Sequence, residues 1–212
     1  NYDDAVHELL GNLDDGTLRG CIVDLRRNIG GSVEPMLASI GPLAGAGKLG
    51  AYVSAHNSSE WSYDAALGAA IFEKYELAKV ANPHPLRDEL PVALLSGRMT
   101  AQAGEAMVVA FAGRARSRRF GEGTRGVPTG STSISLADGA LLVLTVTVYA
   151  DRTGTRYDGV IPPDEAVAID GVHDRSLAAA GRGEAAERDG DHLGARGRDG
   201  PPRLVDRLVL AG

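Results

Sequence analysis

Asp24-Leu25-Arg26-Arg27-Asn28-Ile29-Gly30-Gly31 is the stretch on which the fold turns. It closes a compact apolar run, Leu18 to Leu25, whose β-branched residues suit a buried strand. Ser32 follows the glycine pair and is placed to cap a helix carrying Met36, Leu37, Ile40 and Leu43, with Glu34 in its first turn and Pro35 tolerated there. Strand, glycine turn and helix in that order are the grammar of an α/β sheet.

The same grammar returns downstream. Pro91 to Ser96 is a second apolar run, Gly97-Arg98 turns the chain, and Thr100 is read as the cap of a helix running through Glu105, Met107, Val108 and Phe111. Before the first unit, Ala5, Val6, Leu9 and Leu10 predict a short amphipathic helix over Tyr2 to Leu13. Between the units, Gly45 to Gly50 reads as a flexible break, Ala51 to Ser54 with Trp61 to Tyr63 as a hairpin, and Tyr75 to Val80 as a strand. After them, Ser131 to Leu136 and Leu141 to Tyr149 are joined by the hairpin signal Asp138-Gly139, and a short strand is expected near Val160-Ile161.

With 212 residues and a hydrophobic fraction of 43%, the chain has enough apolar material for a core of ordinary size. The division expected is a globular domain over 1–170 and a tail over 171–212, where Gly, Arg, Asp and Ala dominate without periodicity. Such a composition buries too little apolar surface to offset its ordering entropy, so the tail is read as disordered or as the product of a shifted reading frame. The formal net charge of -6 argues against a nucleic-acid partner, since phosphate binding needs Lys and Arg gathered on one face. The run Arg114, Arg116, Arg118, Arg119 is the one basic patch, and it is read as a solvated face. No apolar stretch is long enough for a membrane span. The lone Cys21, inside an apolar run, is expected to be a small buried hydrophobe. Paired His at helical spacing, Cys pairs and acidic calcium loops are all missing from the sequence, so neither a metal nor a cofactor is expected.

In α/β sheets, sites are built at the carboxyl ends of strands. A turn at Gly30-Gly31 can point amide N–H groups outward without obstruction by a Cβ, which suits an oxyanion hole, or it can simply allow a tight passage from strand to helix.

Four ordered blocks add a family to this reading. Asp24-Leu25-Arg26, Asn28 and Gly30-Gly31 resemble the signature of the tail-specific (C-terminal-processing) serine proteases, and Thr100-Ala101-Gln102-Ala103-Gly104-Glu105 after the strand Pro91 to Leu95 resembles that family's nucleophile helix. Gly121-Glu122-Gly123-Thr124 resembles its Gly-Glu-Pro-Thr loop, and Pro162-Pro163-Asp164 its closing Pro-Asp. The resemblance implies a crotonase-like α/β core, a mixed sheet with flanking helices, related to tricorn core proteases and interphotoreceptor retinoid-binding protein repeats. It further implies peptide-bond hydrolysis through an acyl-enzyme, a peptide or unfolded protein as substrate, and oxyanion donors at the amides of Gly30 or Gly31 and of Ala103.

Two positions depart from the family pattern. Gln102 stands where the family has its nucleophilic serine, and a carboxamide cannot be activated by a base into an acyl acceptor. Val127 stands at the position of the lysine general base of many members; a branch related to tricorn core uses a histidine from an earlier part of the fold, which would lie before Asn1. His7 and His56 match no motif and are read as structural or surface residues, while Ser96 and Thr100 are read as structural hydroxyls and Glu105 as part of a capping box. The second functional reading is a binding module of the same fold, holding a peptide or a small apolar ligand without chemistry. Compartment and oligomeric state have no signal in the residues.

Overall fold

The computed structural model describes residues 2–87, 90–168 and 206–209, which form three helices and twelve strands. The helix α1 (Tyr2–Leu13) turns Val6 and Leu10 inward and places Asp3 and Asp4 at its positive end. The four residues of β1 (Cys21–Asp24) are all buried, as a strand covered on both faces must be. α2 (Val33–Ala44) follows directly. Ser32 holds its N-cap position, but the hydroxyl donates to the Glu34 carboxylate and not to the helix start, which departs from the expected cap.

Five strands form a wholly parallel sheet: β1, β6 (Val92–Ser96), β7 (Ser117–Gly121), β11 (Glu165–Ala166) and β12 (Asp206–Val209), in the order β11-β7-β6-β1-β12. Seven others form an antiparallel sheet: β2 (Gly47–Val53), β3 (Ser58–Asp64), β4 (Ala69–Phe72), β5 (Tyr75–Lys79), β8 (Thr129–Ser135), β9 (Leu141–Asp151) and β10 (Arg156–Tyr157). The mixed sheet expected from the sequence is therefore divided in two. Parallel neighbours need a long crossover, which α3 (Ala103–Phe111) supplies between β6 and β7, whereas β2 to β5 follow one another through turns short enough only for antiparallel pairing.

All nine residues of α3 are buried, and the helix touches α2 on one side and β2 and β9 on another. A helix apolar on every side but for Glu105 belongs in such a position. Leu37, Ile40, Leu43, Leu94, Met107 and Trp61 belong to one continuous core, while Ile22, Ala93, Leu95 and Phe120 pack as a second cluster. Alternate residues of β1 and β6 fall in different clusters, as the two-residue repeat of a strand dictates.

Four features differ from the sequence reading. β2 begins at Gly47, inside the supposed glycine break; β4 was not foreseen; and β7 runs through the basic stretch. The expected strand at Val160-Ile161 is absent among the described residues, and the chain pairs instead at Glu165–Ala166. There Arg119 bonds Asp164 at 2.5 Å and Arg118 pairs with Glu165 at 3.2 Å, so half of the supposed solvated basic face is held by acids one strand away. The tail expected over 171–212 lies outside the described residues except for Asp206–Val209, whose backbone pairs in parallel with Cys21–Asp24.

Candidate functional site

Three loops meet above the carboxyl ends of β1, β6 and β7. In the first, Asp24 is 4% exposed and accepts from the Arg26 guanidinium at 2.8 and 2.5 Å, which fixes the chain as it leaves β1. Asn28 is fully buried and joins this loop to the next: its carbonyl accepts from the Ala101 N–H at 3.0 Å, and its side-chain oxygen accepts from the Gly30 N–H at 3.1 Å. Gly30 and Gly31 have φ of 127° and 137°, values that a side chain would strain. A Cβ on Gly104 would lie 2.8 Å from the Asn28 side-chain oxygen, so only glycine lets α3 approach so closely.

The second loop carries Gln102. Its backbone stands at φ 48°, ψ -114°, outside the ordinary regions for a residue with a side chain, and such strain persists only where the surroundings impose it. They do so through Glu105. This carboxylate, with no exposed surface, accepts from the Gln102 N–H at 2.9 Å, from the Thr124 hydroxyl at 2.6 Å, and from the N–H groups of Gly126 and Val127 at 2.9 and 3.0 Å. A buried charge needs several donors to be tolerated, and these four tie the second loop to the third. Thr124 in turn accepts from the Ile161 N–H at 3.0 Å.

Gln102, not Thr100, is the N-cap of α3. Thr100 is buried, donates to the Leu25 carbonyl at 2.8 Å and accepts from the Gly97 N–H at 3.0 Å, so its hydroxyl braces the two loops against each other. Ser96 is likewise spent, donating to the Glu122 carbonyl at 2.8 Å, while the Glu122 side chain meets Arg98 at 3.2 Å. Gly121 has φ 110°, and a Cβ there would overlap the Ser96 carbonyl. His7 is buried between the Ala38 carbonyl and the His84 N–H, and His56 is exposed on the hairpin between β2 and β3.

A cleft of about 510 Å³ opens beside Gln102. Gly31, Gln102 and Ala103 form one wall, and Tyr52, Phe72 and Tyr149 face them from the antiparallel sheet. The Gly31 and Ala103 N–H groups have no acceptor among the described residues, whereas the Gly30 N–H is taken by Asn28. Burial raises the phenol pKa of both Tyr52 and Tyr149, so the wall is neutral at every ordinary pH. No His or Lys lines the cleft among the described residues. Nor, among those residues, do three or more His, Cys, Asp or Glu gather where they would hold a metal, and no helix there is long and apolar enough to cross a membrane.

The aromatic wall and Glu34 escaped the sequence reading. The sequence reading placed Tyr52 and Trp61 only in a hairpin and Tyr149 only at the end of a strand; Trp61 and Tyr149 are buried, Tyr52 packs against both rings, and Phe72 packs against Tyr52.

Fold and loops together define a peptidase scaffold, and the chain belongs to Peptidase family S41, whose sequence model matches residues 1–167. It is similar to the nisin-resistance protein of Lactococcus lactis subsp. lactis, 28% identical over 162 residues that make up 76% of this chain and 50% of that protein. Among solved structures it is similar to a lipoprotein from Streptococcus agalactiae (TM-score 0.61, 22% identity, 88% of this chain and 62% of that one). It is also similar to the photosystem II D1 C-terminal processing protease (TM-score 0.61, 19% identity, 84% and 42%). The chain thus spans half the length of the curated relative it matches.

Proposed function

We propose that this chain is a peptide-binding member of its family that does not hydrolyse what it binds: a crotonase-like serine-peptidase scaffold with the nucleophile's address kept and the nucleophile gone. The observation that carries the proposal is Gln102, held at φ 48° at the N-cap of a buried helix and turned so that its carboxamide oxygen would lie 3.1 Å from a Cβ on Gly30. A hydroxyl at this place would face the glycine turn; a carboxamide there has no nucleophilic atom. The unengaged N–H groups of Gly31 and Ala103 suit the carbonyl oxygen of a bound peptide, at the positive end of α3. No His or Lys lines the cleft among the described residues to activate a neighbouring hydroxyl.

Two measurements on one preparation test this. Fluorescent peptides are expected to bind saturably, and the protein is expected neither to cleave an unfolded substrate nor to be labelled by a fluorophosphonate. Peptide fragments that accumulate with time, or covalent labelling that a competing peptide suppresses, would overturn it.

A further inference from the structure

The cleft has only one charged side chain on its lining among the described residues, and that is Glu34. It sits in the first turn of α2, directly after the glycine turn, and accepts a hydrogen bond from the Ser32 hydroxyl at 3.0 Å. Among the described residues it forms no ion pair, in a chain where Asp24, Glu122, Asp164 and Glu165 all meet an arginine. A helix dipole accounts for an acid at this position but leaves the carboxylate without a cation.

The rings of Tyr52, Phe72 and Tyr149 line the same cleft as Glu34, with the Tyr52 centroid 5.7 Å from Phe72 and 5.5 Å from Tyr149. Glu34 is close enough for its charge to add, after burial, to the upward shift of both phenols. Aromatic faces attract ammonium and guanidinium groups, and a carboxylate on the same small space adds to that attraction. The remaining polar lining, with Ser54, Asn57, Ser59 and Thr129 among it, is uncharged and offers hydrogen bonds but no rival cation.

We infer that the cleft selects peptides carrying a lysine or arginine side chain, which it seats between Glu34 and the wall of Tyr52, Phe72 and Tyr149. The inference rests on the peptide-binding reading and names the substrate feature that site discriminates. The net charge of -6 attracts cations to the whole molecule, so the discrimination has to be traced to Glu34 itself.

The test uses two labelled peptides that differ only by lysine against glutamine, titrated against wild type, Glu34→Gln and Glu8→Gln. Glu8, exposed on α1, reports the effect of net charge alone. The lysine peptide is expected to bind wild type and Glu8→Gln roughly five-fold tighter than the glutamine peptide, and Glu34→Gln with less than about a two-fold difference. Added salt is expected to erode the wild-type preference, a readout that does not depend on the variant folding. Equal affinities on wild type, or a preference that survives in Glu34→Gln, would overturn the selectivity and leave peptide binding standing. Absence of binding by either peptide would remove the peptide-binding reading, and the selectivity with it.

Discussion

At the scale of single residues, the site combines one strained backbone and one charged clasp, and each makes a prediction. Gln102 occupies a positive φ that costs a residue with a Cβ on the order of 1 kcal/mol. Gln102→Gly is therefore expected to raise the unfolding free energy from urea titration by up to about that much, while Gln102→Ser keeps the strain and leaves it close to wild type. Glu105→Gln is expected to cost about 2–4 kcal/mol in the same titration, because the new amide group points donors at donors in a site where four N–H and O–H groups converge. The capping box was legible, since Glu105 follows Gln102 by three residues; the cap itself was assigned to Thr100 because threonine is a common cap and glutamine is not. What the sequence could not show is that Thr100 is spent on the Leu25 carbonyl, 75 residues away in the chain.

His7 adds a pH dependence. Burial is the main reason its pKa falls below 6.5, and its Nδ1 must stay unprotonated to accept the His84 N–H. Below pH 6.5 the unfolded chain binds a proton that the folded chain refuses. Stability from this group is therefore complete above about 6.5 and is lost as pH falls from there toward the folded-state pKa. Denaturation midpoints measured from pH 8 to pH 5 are expected to fall in that lower window for wild type and to fall less for His7→Gln.

Among the elements, those with strong local patterns were legible and those fixed by distant partners were not. β1, β6 and α1 follow from apolar runs and periodicity alone, and Asp138-Gly139 marks the β8–β9 hairpin. β7 was hidden because Arg118 and Arg119 look like surface charges until Glu165 and Asp164 are brought beside them. The first half of β2 was hidden because glycines look like a break; a Cβ on Gly50 would come within 2.6 Å of Trp61, so here glycine makes room for a ring across the strands. The outer part of the β8–β9 ribbon runs against the usual pattern. Ile134, Leu136, Leu141, Leu142, Val143, Leu144 and Val146 are each at least 40% exposed, which places apolar side chains on both of its faces. Paired strands with two exposed apolar faces invite association. The chain by itself is expected to self-associate as its concentration rises. A Leu142→Thr, Leu144→Thr double variant should scatter less light at equal concentration, with a thermal midpoint close to wild type; a large loss of stability would mean those side chains pack inside the folded chain.

For the whole molecule, β1 is the strand that couples the site to the end of the parallel sheet. β1 carries the residues that lead into the glycine turn, and on one side it is held by β6 through pairs from Cys21–Val92 to Asp24–Leu95. On the other side its partner is β12, in register from Cys21–Asp206 to Asp24–Val209. Removing residues 206–212 leaves a central apolar strand with a bare edge, and the ladder lost amounts to a few hydrogen bonds at about 1 kcal/mol each. The truncated chain is then expected to unfold at lower urea, by roughly 2–4 kcal/mol, and amide exchange at Ile22 and Val23 is expected to speed up. Gly31 hangs from the end of the same strand, and the Asn28 carbonyl of that loop accepts from the Ala101 N–H beside Gln102, so peptide affinity should weaken along with stability. An unchanged urea midpoint together with unchanged exchange would instead place the edge of the sheet at β1.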